Sequence, residues 1–243
     1  MRAILASLTL LGSVITVQPT FAEAVDLALV LAADVSASVD QQEFELQRQG
    51  YAAAVNDPRV LDAIQSGTHK AIALCFIEWS GAPQQRVVVD WTIIRDREIA
   101  AEFAGKLLAD PRSFSGPTAI GAAIDFAARQ LARTGIESAR RAVDVSGDGD
   151  SNLGREVTAA RDDAVADGIT INGLAIINDR DNTPHTHPTG GLAEYYRQNV
   201  IGGPGAFVLV VGDFATFGDA LANKLLAEIA AASQTPRQVV RAD

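Results

Sequence analysis

From Val25 onward the chain alternates between short apolar runs and segments with helical spacing, the pattern of a mainly parallel sheet covered on both faces. The run "VDLALVLAA" is almost continuously apolar, as a strand buried on both sides must be. A helix follows from Asp40. Asp40 and Glu43 form a capping-box pair there, and Phe44, Tyr51 and Val55 share a face up to "NDP" at 56–58. "KAIALCFIEW" and "RVVVDWTII" flank the short turn "SGAPQQ", which predicts a hairpin and therefore one antiparallel edge strand. Helical spacing returns in "EIAAEFAGKLLAD" and, more strongly, over 118–133, where Ile120, Ile124, Ala127 and Leu131 recur. "RAVDVS", "ITINGLAII" and "AFVLVV" supply further strands. "GREVTAARDDAVADG" reads as a helix stopped at Gly168, and Phe214, Phe217, Leu221, Leu225 and Ile229 mark a closing helix.

The expected architecture is therefore α/β and doubly wound: a mainly parallel six-stranded sheet, one antiparallel edge strand, and about six helices on its two faces. The expected domain spans residues 25–235, with a tail over 236–243. No internal repeat is visible. Residues 177–205 separate the last two strands, and their first half, "INDRDNTPHTHPTGG", is a polar connection long enough to suggest a functional loop.

Composition narrows the class. Hydrophobic residues make up 48% of the 243 and charged residues 21%, values of an ordinary folded protein rather than a disordered one. Cys75 is the only cysteine, so no disulfide forms within a chain; it sits in an apolar run and reads as a small buried hydrophobe. The formal charge of −10 repels phosphate backbones, and no basic run carries interleaved aromatics, so nucleic acid is not an expected partner.

The N-terminus reads as an export signal. Arg2 precedes the apolar stretch "AILASLTLLGSVITV", and "TFAEA" offers small residues for cleavage after Ala22 or Ala24. That stretch is shorter than the ~20 residues of a membrane span. The expected product is a periplasmic or secreted protein with no membrane insertion after signal cleavage.

Ligands of open parallel sheets bind where the strands end, near the point of strand-order reversal. Asp34, Ser36 and Ser38 follow the first long strand at alternate positions; an extended backbone there would turn all three to one side. Asp148 follows "RAVDVS", and Thr118 opens the strongly periodic helix. Taken alone, such residues also make turns and cap helices, and Ser38, Asp40, Thr118 and Asp148 could each do only that.

With D-x-S-x-S at Asp34–Ser38, Thr118 in "SGPTAIGAAI" and Asp148 in "VSGDGD", the sequence resembles a von Willebrand factor type A domain from Val25 to Ala230. The stretches "EWSGAPQQRVVVDWT" and "VIGGPGAFV" resemble, more narrowly, a group of exported bacterial proteins with this domain and no established function. The resemblance implies a metal-ion-dependent adhesion site that binds Mg²⁺ or Mn²⁺. Ser36 and Ser38 would bind the ion directly, and Thr118 directly or through water. Asp34 and Asp148 would hold bound waters and balance charge. Magnesium prefers six oxygens and keeps waters readily. Neutral hydroxyls leave it able to accept an anion, so a carboxylate on a protein partner would complete its shell.

Two other readings stand beside this one: a metal-dependent hydrolase on the same rim, and a structural subunit with a vestigial site. Catalytic signals are sparse. There is no G-x-S-x-G elbow, and no histidine has an evident serine or cysteine partner. A hydrolase would need a general base, for which Glu78 and Asp150 are candidates, although Glu78 reads more simply as a solvated charge near the hairpin turn. His185 and His187 form a thin transition-metal motif in the 177–191 loop, which is expected to shape partner choice. Asp148, Asp150 and Asn152 begin a calcium-loop pattern that fails at Leu153 and Ala159.

Overall fold

The computed structural model describes residues 23–177, 191–212 and 216–233. Its strands are β1 (Ala24–Val25), β2 (Leu27–Asp34), β3 (Ile72–Trp79), β4 (Gln85–Ile94), β5 (Glu137–Ser138), β6 (Arg141–Gly147), β7 (Ile169–Ile176) and β8 (Val208–Val211). Its helices are α1 (Gln41–Val55), α2 (Pro58–Ser66), α3 (Arg97–Ala109), α4 (Ile120–Arg133), α5 (Val157–Ala166), α6 (Gly191–Tyr195) and α7 (Phe217–Ser233), with a π-helical turn, Tyr196–Val200, continuing α6.

The main sheet has the order β4-β3-β2-β6-β7-β8, and β4 alone runs antiparallel. The expected fold class is met. The chain leaves β2 toward β3 on one side and reaches β6 on the other, so strand order reverses between β2 and β6. Asp34 and Gly147 end those two strands, at the crevice where open sheets bind ligands.

Every residue of β2 is buried, and its side chains sort by size. Leu27, Leu29, Leu31 and Ala33 face a core shared with Tyr51, Phe103, Phe217 and Leu221, from α1, α3 and α7. Ala28, Val30 and Ala32 face the opposite layer, where Ile120, Ile124 and Ala127 of α4 and Val157 of α5 pack. Alternation along a strand delivers large residues to one layer and small ones to the other, so α4 can lie close against the sheet. Close packing extends to Gly121, where a side chain would strike the Arg155 carbonyl at 2.4 Å.

Local signals explain most boundaries. Asp40 accepts from Glu43 N at 2.8 Å while the Glu43 carboxylate accepts from Asp40 N at 2.8 Å, completing the capping box. Gly168 ends the α5 turn with φ +75°, a conformation other residues adopt at a cost. α2 was not expected. Its signal was Asp57 followed by Pro58 at the first helical position, with Asp57 Oδ1 accepting from Arg59 N at 2.8 Å. Val25 proves to lie in β1, which pairs with β5 apart from the main sheet. Cys75 is buried as expected, and burial pushes its thiol up to about 12. Residues 1–22, the polar loop at 178–190 with His185 and His187, Phe214 and residues 234–243 lie outside the described residues.

The sequence also gave no sign that charged groups would sit inside the α7 layer. Lys224 Nζ lies 2.7 Å from Asp144 Oδ1 and 3.3 Å from Glu228 Oε1, and all three side chains are fully buried. Asn172 Nδ2 donates to Glu228, and Arg140 Nη1 donates to the Glu228 carbonyl at 3.1 Å. Burial raises the Asp144 carboxyl to about 6; the Lys224 ammonium opposes that rise and the Glu228 charge adds to it. A carboxyl raised on folding contributes stability in full below its unfolded value, and loses that contribution as pH climbs through about 6. Lys224→Met removes the cation and leaves two buried carboxylates. Urea denaturation should therefore show a loss of about 3–5 kcal/mol at neutral pH, shrinking as acid protonates Asp144.

Candidate functional site

Asp34 is the last residue of β2 and is wholly buried. The next five residues form a turn rather than the extended segment expected from their alternation. Val39 N donates to the Ser36 carbonyl at 3.2 Å, and Asp34 Oδ1 accepts from Ser36 N at 2.7 Å. The turn still brings the hydroxyls together. Ser36 Oγ and Ser38 Oγ lie 3.0 Å apart, and Ser38 Oγ donates to Asp148 Oδ1 at 2.7 Å. Four of the five expected residues thus form one hydrogen-bonded run across the β2–β6 crevice.

Thr118 joins through its backbone. Its N–H donates to Asn152 Oδ1 at 3.0 Å, and its carbonyl accepts from Asn152 N at 2.9 Å and Leu153 N at 3.2 Å. The segment before α4 is thereby laced to the loop that begins at Asp148. Thr118 does not cap the helix: α4 starts at Ile120, and Ala119 stands at the cap without a side-chain hydrogen bond.

A second set of residues holds the serine turn from below. Arg112 Nη2 donates to the carbonyls of Val35 at 2.9 Å and Ser36 at 2.8 Å, while its Nε donates to the Phe114 carbonyl at 2.8 Å. Val35, Val39 and Phe44 make a small apolar cluster against Phe114. Glu78, expected to be a solvated charge, is fully buried instead. Its Oε1 accepts from Arg48 Nε at 3.0 Å, and its Oε2 accepts from Ser113 N at 2.8 Å. Arg48 also donates to the Leu107 carbonyl and lies over the rings of Phe44 and Phe76. The pair ties α1, β3 and the 110–118 segment together, so Glu78 is structural and is not available as a general base. Sequence reading missed it because nothing local marks Arg48 as its partner 30 residues earlier.

The electrostatics favour a cation. Burial pushes the Asp34 carboxyl up to about 8, the nearby Asp148 charge adds to the rise, and bonds from Ser36 and the Arg112 charge only partly oppose it. Asp34 Oδ2 is buried with no hydrogen-bond partner among the described residues. Tyr196 OH is buried in the same condition, and burial, followed by the charges of Asp34 and Asp148, keeps that phenol well above its ordinary value. Among the described residues no three His, Cys, Asp or Glu side chains gather around one point. The donors here are two carboxylates and hydroxyls, an oxygen set suited to a hard divalent ion. These residues fit such an ion: it would relieve both the Asp34–Asp148 repulsion and the unpaired oxygen.

Comparison with known proteins agrees with the fold. A family described as "Protein of unknown function (DUF1194)" matches residues 24–233. No curated protein is significantly similar to the chain. Among solved structures, proximal thread matrix protein 1 from the mussel byssus, in a form with a zinc-occupied MIDAS motif, is 17% identical with a TM-score of 0.57, covering 85% of this chain and 48% of that one. A von Willebrand factor type A protein from Catenulispora acidiphila is 17% identical with a TM-score of 0.52, covering 84% and 42%. An aerotolerance-related membrane protein from Bacteroides fragilis is 21% identical with a TM-score of 0.52, covering 83% and 99%. The chain thus spans about half the length of the mussel protein. The fold is that of a von Willebrand factor type A domain.

Releasing the turn from its guanidinium support should be visible in solution. Arg112→Ala is expected to speed amide exchange at Ala37 and Val39 and to weaken divalent-ion affinity by about tenfold or more. Hydrogen-exchange mass spectrometry and calorimetric titration with Mg²⁺ check the two outcomes.

Proposed function

We propose that this chain, which belongs to the DUF1194 family of unknown function, is an exported binding module that uses a divalent cation to grip an acidic group on a protein partner. The reading is carried by one observation: a buried carboxylate with an unpaired oxygen, two serine hydroxyls and a second carboxylate linked at the point of strand-order reversal. Ser36, Ser38 and Thr118 would offer neutral oxygens to Mg²⁺ or Mn²⁺, with Asp34 and Asp148 balancing charge around it. A bound ion with few anionic ligands retains appetite for a carboxylate, which lets a protein of net charge −10 receive an acidic ligand.

The mussel structure with zinc at its MIDAS motif supports metal use on this fold, although its ion differs from the one proposed here. Export rests on the leader-like residues 1–22. Among the described residues, no helix is long and apolar enough to cross a membrane.

The test is ion-dependent stabilisation. At an Mg²⁺ concentration about 100 times its Kd, wild type should gain about 2.7 kcal/mol. For a domain of this size that is a rise in melting temperature of roughly 5–10 °C. Ser36→Ala should lose the rise and remain folded, because the apolar core lies beneath the rim. Capture of an acidic protein partner should require Mg²⁺ and fail in chelator. Equal Mg²⁺ shifts in wild type and Ser36→Ala would overturn the reading.

A further inference from the structure

Tyr196 is the rim residue that the sequence pattern does not single out. It opens the π-helical turn after α6, is wholly buried, and packs on the α4 side of the sheet. Two glycines clear its path across β6 and β7. A side chain at Gly173 would come within 2.7 Å of Tyr196 Cδ1, and one at Gly147 within 2.6 Å of its hydroxyl. The same added carbon at Gly147 would lie 3.0 Å from Asp34 Oδ2. The phenol therefore ends over Gly147 beside the Asp34 oxygen that has no partner, and it has no partner itself among the described residues.

A purely space-filling role does not call for that hydroxyl. Phenylalanine would occupy the same lane without bringing an unsatisfied polar atom inside, and buried tyrosine hydroxyls ordinarily find a partner. Here a donor and an acceptor, both unpaired and both buried, face the same glycine. π-helical turns re-aim the side chains that follow an α-helix and recur at functional sites. This one aims Tyr196 at the end of β2.

We infer that Tyr196 is a positioning residue for the cation site: with the ion bound, its hydroxyl reaches across Gly147 to donate to the Asp34 carboxylate and holds that group toward the ion. Gly147 serves the same end by keeping the space between the two groups clear. The inference rests on the metal-binding reading above. Hydrogen-bonded supports of this kind fix the orientation of the groups around an ion, and their loss weakens metal binding without removing a ligand.

The experiment uses the chelator-treated mature protein and titrates Mg²⁺, then Mn²⁺, into wild type, Tyr196→Phe and Gly147→Ala. Tyr196→Phe is expected to fold, to melt without metal at the wild-type temperature or above, and to bind Mg²⁺ about 10–100 times more weakly. Mg²⁺ should perturb the near-ultraviolet tyrosine absorbance of wild type. That band should vanish in Tyr196→Phe, which keeps Tyr51 and Tyr195, the other two of the chain's three tyrosines. Gly147→Ala should weaken binding as well; if it fails to fold, Tyr196→Phe alone decides. Wild-type Mg²⁺ affinity in Tyr196→Phe, with the band retained, overturns the role of Tyr196 and leaves the metal reading standing. Wild type that binds neither ion overturns both.

Discussion

A carboxylate with no exposed surface and one unpaired oxygen cannot hold its charge unaided, and Asp34 is such a group at the end of the central strand. The rest of the rim is organised around that constraint. The carboxyl is raised, the second carboxylate raises it further, and the Arg112 guanidinium, whose charge opposes the rise, bonds to backbone carbonyls instead of pairing with it. A protein interior that wanted Asp34 only for the turn could satisfy both oxygens from neighbouring amides. This one satisfies Oδ1 and leaves Oδ2 without a bond among the described residues, which is the feature the proposed cation site is built on.

The charges that are neutralised inside the fold lie one layer away. Arg48 and Glu78 form a buried pair that fastens the 110–118 segment to α1 and β3, and Lys224 bridges Asp144 and Glu228 beneath α7. Such pairs contribute little net stability against apolar replacements, yet breaking one partner is expensive. Their value here is geometric. The Arg48–Glu78 pair fixes the 110–118 segment that leads to Thr118, and the Lys224 group joins α7 to β6.

Much of the architecture was written in the apolar periodicity. β2, β3 and β7 are buried along their whole length, and α4 shows its spacing in Ile120, Ile124, Ala127 and Leu131. The five candidate site residues came from the resemblance to the type A domain rather than from periodicity, and the structure links four of them in one hydrogen-bonded run, from Asp34 through the Ser36 backbone N–H and the two serine hydroxyls to Asp148. What stayed hidden depends on pairing across long sequence separations. Glu78 looked like a surface charge until Arg48 was placed beside it, and Tyr196 lay in a stretch with no readable period. α2 was missed for a different reason: it spans only Pro58–Ser66, and Pro58 read as the end of α1 instead of a new start.

The unequal sizes of the side chains along β2 carry a consequence for which substitutions the chain can tolerate. On the α1 and α7 face, leucines meet bulky aromatics, and a change of shape there can be absorbed by repacking. On the other face Ala28 and Ala32 let α4 sit close, and the residues just ahead of α4 are the ones bonded to the Asp148 loop. A larger group at Ala32 would push the helix outward and drag Thr118 with it. Deep positions far from the rim are therefore set by the same ångström-scale tolerance as the rim residues themselves.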